Sequence, residues 1–207
     1  MAVIRIALVL RSGGDYKPEH VQTLAAQLRA QGYDPLVLSD VDVKGVERVP
    51  LKYKWPGWWA KLELNRPDIE GDLLVMDLDT RIVGDIADIA ARMKITLVDD
   101  FYRPGKRVSS GLMYLPAAAR AETWERWHPQ MMHVYRGDGE FMDWLWRGRA
   151  DTWPEVLPGQ VVSYKCHVML DPKKAKHVGD GTVPKNARIV LYHGAPRPWD
   201  APPLKVM

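Results

Sequence analysis

The stretch DLLVMDLDT, residues 72–80, decides the fold and the chemistry expected of this chain. Residues 73–76 form a short apolar run, typical of a strand buried in a sheet. Asp77 and Asp79 follow two residues apart, so in an extended chain their side chains point the same way. Such a pair of carboxylates suits Mg²⁺ or Mn²⁺, although acids that end a strand also commonly begin a turn.

The segments on both sides of this stretch alternate between strand and helix patterns. Apolar runs predict further strands at residues 3–10, 35–40, 95–100, 109–116 and 187–194. Apolar spacing and the proline and glycine punctuation predict helices over 18–32 and 56–66, after Pro116, and after Asp138. Residues 41–54 are expected to be irregular. The alternation predicts an α/β fold with a mostly parallel sheet, in which ligands bind at the carboxyl ends of the strands.

Length and composition predict one domain over residues 1–207, with a proline-rich tail from about residue 195. A single cysteine, Cys166, excludes an internal disulfide and indicates a cytoplasmic protein. The N-terminal apolar run is too short for a signal peptide or a membrane span. A net charge of +3 is mild, but residues 101–207 carry the positive excess, which is either scatter or a surface for an anionic ligand.

Two further segments contain residues that could bind a ligand or take part in a reaction. His193 ends the last predicted strand and is followed by Gly194, which allows a close backbone approach, and Arg197, whose fork suits phosphate oxygens. The first loop, residues 11–17, precedes a helix and contains Tyr16, which either stacks on a base or fills a turn. Fingerprints of dehydrogenases, P-loop enzymes and GxSxG hydrolases are absent from the sequence.

For several other residues, the sequence alone favours a structural role over a functional one. Trp55, Trp58 and Trp59 are expected to pack in the core, and Lys61 on the same helix to be a solvated charge. Asp138 is expected to cap its helix. Cys166 and His167 are adjacent and would face opposite ways in an extended chain, which argues against a catalytic Cys–His pair.

The order of the motifs resembles that of GT-A fold glycosyltransferases related to glycogenin and the bacterial lipopolysaccharide galactosyltransferases. The segment 58–89 (WWAKLELNRPDIEGDLLVMDLDTRIVGDIADI) resembles their lysine-bearing helix, strand and DxD motif. Four later segments keep the family's order: SSGLMYLP (109–116), RGDGEFMDWLW (136–146), VLPGQVVSYKC (156–166) and LYHGAPRPWD (191–200). The resemblance covers about residues 3–200. It implies a Rossmann-like nucleotide-diphospho-sugar transferase fold, with a mixed central sheet flanked by helices.

The resemblance also implies roles for individual residues. Asp77, Asp79 and His193 would hold a Mn²⁺ or Mg²⁺ ion. The other donor-binding residues implied are Tyr16, Lys61, Leu78, Ser110, Gly111, Gly194 and Arg197. In catalysis, Asp138 would act at the sugar and Arg197 at the diphosphate. The sequence departs from the family pattern at three positions. Gly13 replaces an acid that lies near the base, Gly139 replaces a glutamine, and Arg197 replaces a lysine.

The function implied is a metal-dependent glycosyltransferase that uses a UDP-sugar, retains the anomeric configuration, and acts on an unknown glycan, lipid-linked or protein acceptor. Three alternatives remain open. The acceptor could be a nucleic acid, because residues 160–188 carry six Lys/Arg against two Asp. The chain could be a non-catalytic sugar-nucleotide-binding module, or a nucleotidyltransferase, although its first loop only partly matches that class. Either a monomer or a homodimer is compatible with the sequence.

Overall fold

A computed structural model describes residues 4–170 and 179–206, in which ten strands form two sheets. The strands of the larger sheet are β1 (Arg5–Leu10), β2 (Leu36–Ser39), β3 (Glu47–Pro50), β4 (Leu73–Met76), β6 (Thr96–Asp99), β7 (Val108–Leu115) and β8 (Asp151–Thr152). Those of the smaller sheet are β5 (Thr80–Ile82), β9 (Val161–Ser163) and β10 (Ile189–Leu191). The spatial orders are β3-β2-β1-β4-β7-β6-β8 and β5-β10-β9.

Helices connect these strands. The α-helices are α1 (Pro18–Ala30), α2 (Ala87–Ala90), α3 (Ala117–Arg126), α4 (Asp138–Trp146) and α5 (Trp153–Val156). Two 3₁₀ helices, Gly57–Asn65 and Pro129–His133, and one π-helical turn, Tyr164–Val168, complete the elements. Over residues 4–170 and 179–206, no helix is long and apolar enough to cross a bilayer.

The larger sheet is mixed, as predicted. Neighbouring strands from β3 to β4 run parallel, whereas β7 runs antiparallel to both β4 and β6. The expectation of a mostly parallel sheet is therefore confirmed, with β7 as the antiparallel exception. This reversal matters for function, because it brings the beginning of β7 to the edge at which β1, β4 and β6 end.

Each face of the larger sheet buries its own hydrophobic core. Side chains of β1 alternate between the two cores, since successive residues of a strand point to opposite faces: Leu8 packs with α1, and Ala7 packs with the other core. That second core contains the 3₁₀ helix Gly57–Asn65, α3 and α4. A third, smaller cluster lies around β9 and β10. Helices thus flank both faces and leave the strand ends open.

Several local predictions differ from the structure. Residues 57–65 form a 3₁₀ rather than an α-helix, and β3 falls within the segment 41–54 that was expected to be irregular. The last strand is only three residues long and belongs to the smaller sheet. By contrast, α1 ends before Gly32, whose φ of 84° is favoured by glycine, as predicted. The described tail from residue 195 to 206 contains no helix, which agrees with its prolines.

Candidate functional site

One large cavity, with a volume of about 1150 Å³, opens where β1, β4 and β6 end and β7 begins. Every residue that the sequence singled out for donor or metal binding lines it: Tyr16, Lys61, Asp77, Leu78, Asp79, Ser110, Gly111, Asp138, His193, Gly194 and Arg197. These residues come from segments separated by up to 181 positions along the chain. The fold therefore gathers the predicted set into one place.

Lys61 is the centre of a buried polar cluster. Its Nζ lies 2.5 Å from Asp77 Oδ1 and 3.2 Å from Asp138 Oδ2, and it also approaches the carbonyl and hydroxyl of Ser110. Ser110 Oγ in turn donates to Asp138 Oδ2 at 2.6 Å. The expectation that Lys61 is a solvated charge is wrong, because the short 3₁₀ helix turns its side chain inward, where only 8% of the residue is exposed.

Asp138 is therefore not a simple helix cap. Gly137 occupies the cap position of α4, and the Asp138 carboxylate is engaged by Lys61 and Ser110 instead. Only 5% of Asp138 is exposed. A buried carboxylate that faces a ligand cavity and is held by two donors is a fixed negative charge, suited to stabilising positive charge that develops on a bound sugar.

Arg197 organises the other side of the acid pair. Its guanidinium forms an ion pair with Asp79, and Nη1 donates to the Tyr16 hydroxyl at 2.7 Å. The same guanidinium lies 4.9 Å from the centre of the Tyr16 ring, and the Trp199 ring packs edge-on against Tyr16. Tyr16 is thus held by the C-terminal segment, and the guanidinium covers one face of the ring on which a base could stack.

The buried charges shift the proton equilibria of the site. Burial raises the pKa of Asp77 to about 7, although Lys61 opposes the shift, and burial likewise raises the pKa of Asp79 against the opposing effect of Arg197. Burial would lower the pKa of Lys61, but Asp138 and Asp77 outweigh it and raise that pKa. Burial raises the pKa of Tyr16, with Asp79 adding to the effect. Ionising both acids is therefore costly unless further positive charge enters the site.

The three predicted metal ligands line the same cavity but are not arranged around one point. Among the described residues, no group of three or more His, Cys, Asp or Glu side chains is placed to hold a metal ion. His193 Nε2 shares a 2.6 Å hydrogen bond with Ser163 Oγ, and its ring stacks on Phe101. Asp77 and Asp79 are held by Lys61 and Arg197. The assignment of these three residues as metal ligands therefore stays a prediction.

Three of the predicted residues shape the cavity through their backbone or their position in its wall. The carbonyl of Gly111 accepts from the Asp77 amide at 3.0 Å, which fixes the acid pair against β7. Leu78 is only 2% exposed at the cavity wall. Gly194 has φ of 76°, where other residues are strained, and a Cβ there would lie 3.4 Å from Lys165 Nζ.

Cys166 and His167 do not form a catalytic pair. They lie in the π-helical turn rather than an extended segment, and the backbone amide of Ser163 donates to His167 Nδ1. Cys166 is buried, and burial raises the pKa of its thiol. The extended conformation expected for this pair is therefore wrong, and the argument against a catalytic pair rests instead on the backbone contact of His167 Nδ1.

Sequence reasoning missed several residues at the cavity. Trp58 was expected in the core but is 61% exposed, whereas Trp55 and Trp59 are buried as predicted. Arg107 and Arg136 also line the cavity. Trp58 lies at the start of the 3₁₀ helix, just before the stretch Trp59–Asn65 in which every residue is buried. Its exposure depends on how the start of this helix packs against the rest of the fold, which a single sequence does not reveal.

No family model and no curated protein matches this sequence. Solved structures do match its fold. The galactosyltransferase LgtC, in complex with donor and acceptor sugar analogs, aligns with a TM-score of 0.60 and 12% identity over 94% of this chain and 89% of its own. The bifunctional glycosyltransferase WbbM aligns with a TM-score of 0.64 and 12% identity over 95% of this chain and 47% of its own.

A third match is the glycosyltransferase GlyE of Streptococcus pneumoniae TIGR4, with a TM-score of 0.54 and 13% identity. It covers 76% of this chain, which in turn spans 47% of GlyE. The TM-scores of 0.54, 0.60 and 0.64 indicate a shared architecture, whereas identities of 12–13% carry no information about shared chemistry. The mixed sheet, the flanking helices and these structural matches agree with one another, and the chain has the GT-A glycosyltransferase fold.

Proposed function

We propose that this protein is a divalent-metal-dependent glycosyltransferase that uses a nucleotide-diphosphate sugar, with a UDP-sugar as the donor to test first. The observation that carries the proposal is the convergence of Asp77, Asp79, Lys61, Asp138 and Arg197 in one cavity at the strand ends. In α/β folds this edge is where ligands bind. The GT-A fold and the order of the sequence motifs both support a sugar nucleotide as that ligand.

The acid pair fits a divalent cation. Asp77 and Asp79 offer hard oxygen ligands, and burial disfavours their charged forms, so a cation would relieve an unfavourable negative charge. His193 is proposed as a further ligand; it could bind through Nδ1 while Nε2 keeps its hydrogen bond to Ser163. When bound, the ion supplies positive charge to the diphosphate as the anomeric C–O bond breaks.

The chain's own residues would then share three tasks. Arg197 carries a guanidinium suited to the phosphate oxygens on which negative charge develops. Asp138 provides a fixed carboxylate for a sugar with oxocarbenium character. Lys61 holds Asp77 and Asp138 together, so it couples the metal side of the site to the sugar side. Retention of configuration follows from the family resemblance, and no enzyme nucleophile is assigned here.

Tyr16, Leu78, Ser110, Gly111 and Gly194 would complete the donor site. Tyr16 is proposed to face the base, and Ser110 orients Asp138 through its hydroxyl. The presence of Asp77, Asp79, His193 and Arg197 together in one cavity argues against a non-catalytic module. Transfer to a nucleic acid rests on the basic segment 160–188, of which residues 171–178 lie outside the described part of the chain.

Slow hydrolysis of a sugar nucleotide tests the proposal without knowledge of the acceptor. The protein would be incubated with UDP-glucose, UDP-galactose and GDP-mannose, each with Mn²⁺ and with EDTA, and released nucleotide would be measured by chromatography. We expect Mn²⁺-dependent release of UDP from a UDP-sugar, because water can replace the acceptor. Release of nucleotide from none of the three donors by folded protein would contradict the proposal.

A further inference from the structure

We propose that the outer part of the cavity binds the acceptor, and that this acceptor is a saccharide carrying an anionic group, bound by Trp58, Arg107 and Arg136. The inference rests on the proposed function, because it treats the acid-lined part of the cavity as the donor site. It goes further by naming the chemical class of the second substrate and the residues that would select it.

The extent of the cavity lining, more than its volume, points to a second ligand. Pockets for a single small molecule or cofactor commonly measure about 300–1000 Å³. The cavity here measures about 1150 Å³ and is continuous from Tyr16 and Arg197 to Trp58, Arg107 and Arg136. The residues assigned to the donor account for only part of its lining.

Trp58 has the placement of a saccharide platform. It lines the cavity with 61% of the residue exposed, while Trp59, next to it, is 6% exposed. Leaving an indole in water is unfavourable, and a flat aromatic face in a concave site is suited to stacking against the apolar face of a sugar ring. Trp58 therefore offers a stacking surface close to the reacting groups.

The position of Trp58 is set by its contact with the start of α4. A Cβ at Gly137 would lie 2.7 Å from Trp58 Nε1 and 3.0 Å from its Cδ1, so only glycine allows the indole to sit there. Gly137 immediately precedes Asp138, whose carboxylate is proposed to face the donor sugar. A sugar stacked on Trp58 would thus lie beside the site of transfer.

The charges around Trp58 favour an anionic acceptor. Arg107 and Arg136 share one carboxylate: their guanidinium nitrogens lie 3.8 Å and 3.1 Å from Glu140 Oε1. Hydrogen bonds from Arg136, aided by the charge of Arg107, hold the pKa of Glu140 below its ordinary value, so it is ionised at neutral pH. Two arginines share this one carboxylate; Asp99, Asp100 and Asp143 also line the cavity, the last two paired with Arg103 and Arg147. Arginine is well suited to binding a carboxylate or phosphate on a sugar.

Saturation-transfer NMR tests this inference on the full chain. Saturating Mg²⁺ and UDP would fill the donor site, and glucose, glucuronate, glucose 6-phosphate and inorganic phosphate would serve as probes. We expect both anionic sugars to bind about tenfold more tightly than glucose, the effect of a charge-assisted contact. Trp58→Ala should weaken the binding of every sugar about tenfold. Gly137→Ala should also weaken sugar binding, because the added methyl group displaces the Trp58 indole without removing it.

Matched variants separate the two parts of the inference. The double variant Arg107→Gln/Arg136→Gln should remove the preference for anionic sugars over glucose. Trp144→Ala, an exposed tryptophan on α4 outside the cavity lining, and Arg126→Gln, an exposed arginine on α3, should leave sugar binding unchanged.

Several outcomes would overturn the inference. Equal affinity for glucose and the anionic sugars would contradict the claim that the acceptor is anionic. Unchanged sugar binding in Trp58→Ala would contradict the claim that Trp58 stacks on the sugar. Inorganic phosphate that binds as tightly as glucose 6-phosphate would reduce the site to an anion site. Tight binding of a single-stranded oligonucleotide, with no binding of the sugars, would favour a nucleic-acid acceptor. Calorimetry with UDP reports separately on the donor site, so failure of the proposed function is distinguishable from failure of this inference.

Discussion

Replacing Asp79 with alanine is expected to weaken Mn²⁺-dependent UDP binding by at least about 100-fold. Asp79 is proposed as a ligand of the ion and also pairs with Arg197, which in turn donates to Tyr16. Loss of a group that merely supports a metal ligand commonly costs 10- to 100-fold in metal affinity, so loss of a direct ligand should cost no less. Isothermal titration calorimetry of UDP into variant and wild-type protein, with Mn²⁺ present, measures the difference.

Asp88→Ala is the matched control for this prediction. Asp88 is an exposed acid on α2 that pairs with Arg188, and it does not line the cavity. Its removal should leave UDP affinity unchanged. An Asp79→Ala protein that binds UDP and Mn²⁺ as tightly as wild type would show that the acid pair does not hold the ion.

Replacing Lys61 with methionine is expected to lower the free energy of unfolding by about 3–5 kcal/mol. Methionine keeps the length of the side chain but leaves Asp77 and Asp138 without their shared cation in a buried position. Removing one partner of a buried charge cluster commonly costs this much, because the remaining charges are desolvated and unpaired. Denaturant unfolding followed by circular dichroism measures the loss.

Two further variants test the cause of that loss. Lys52→Met removes a lysine that pairs with Asp68 at the surface, where both side chains are about half exposed, and should cost less than about 1 kcal/mol. The double variant Lys61→Met/Asp138→Asn should recover part of the stability, since it removes one of the unpaired charges. If Lys61→Met were as stable as wild type, the cluster would not be the buried charge network described here.

The sequence predicted the parts of the fold that depend on local patterns. The apolar run before Asp77 and the spacing of apolar residues in α1 are local signals, and both elements lie where they were expected. The cavity followed from a topological rule about strand ends, so its position could also be anticipated. β3 could not be predicted, because Glu47–Pro50 is an exposed edge strand without an apolar run, and among the described strands it pairs with β2 alone.

The interior of the site was harder to predict than its location. Whether Lys61 is solvated or buried depends on Asp77, Asp138 and Ser110, which come from three separate segments. The exposure of Trp58 depends on how the start of its helix packs against the rest of the fold, since every residue from Trp59 to Asn65 is buried. One hydrogen-bond partner of His193 is Ser163, on a strand that belongs to the smaller sheet. Each outcome is set by tertiary packing that a single sequence does not reveal.

Calorimetric titration of UDP and GDP into the wild-type protein, with and without Mn²⁺, tests the central claim most directly. We predict that UDP binds when Mn²⁺ is present and that binding is lost when EDTA removes the metal. This result would assign the acid-lined cavity to a metal-bridged nucleoside diphosphate. Binding of neither nucleotide to folded protein with Mn²⁺ present would contradict the assignment of this cavity as the donor site of a glycosyltransferase.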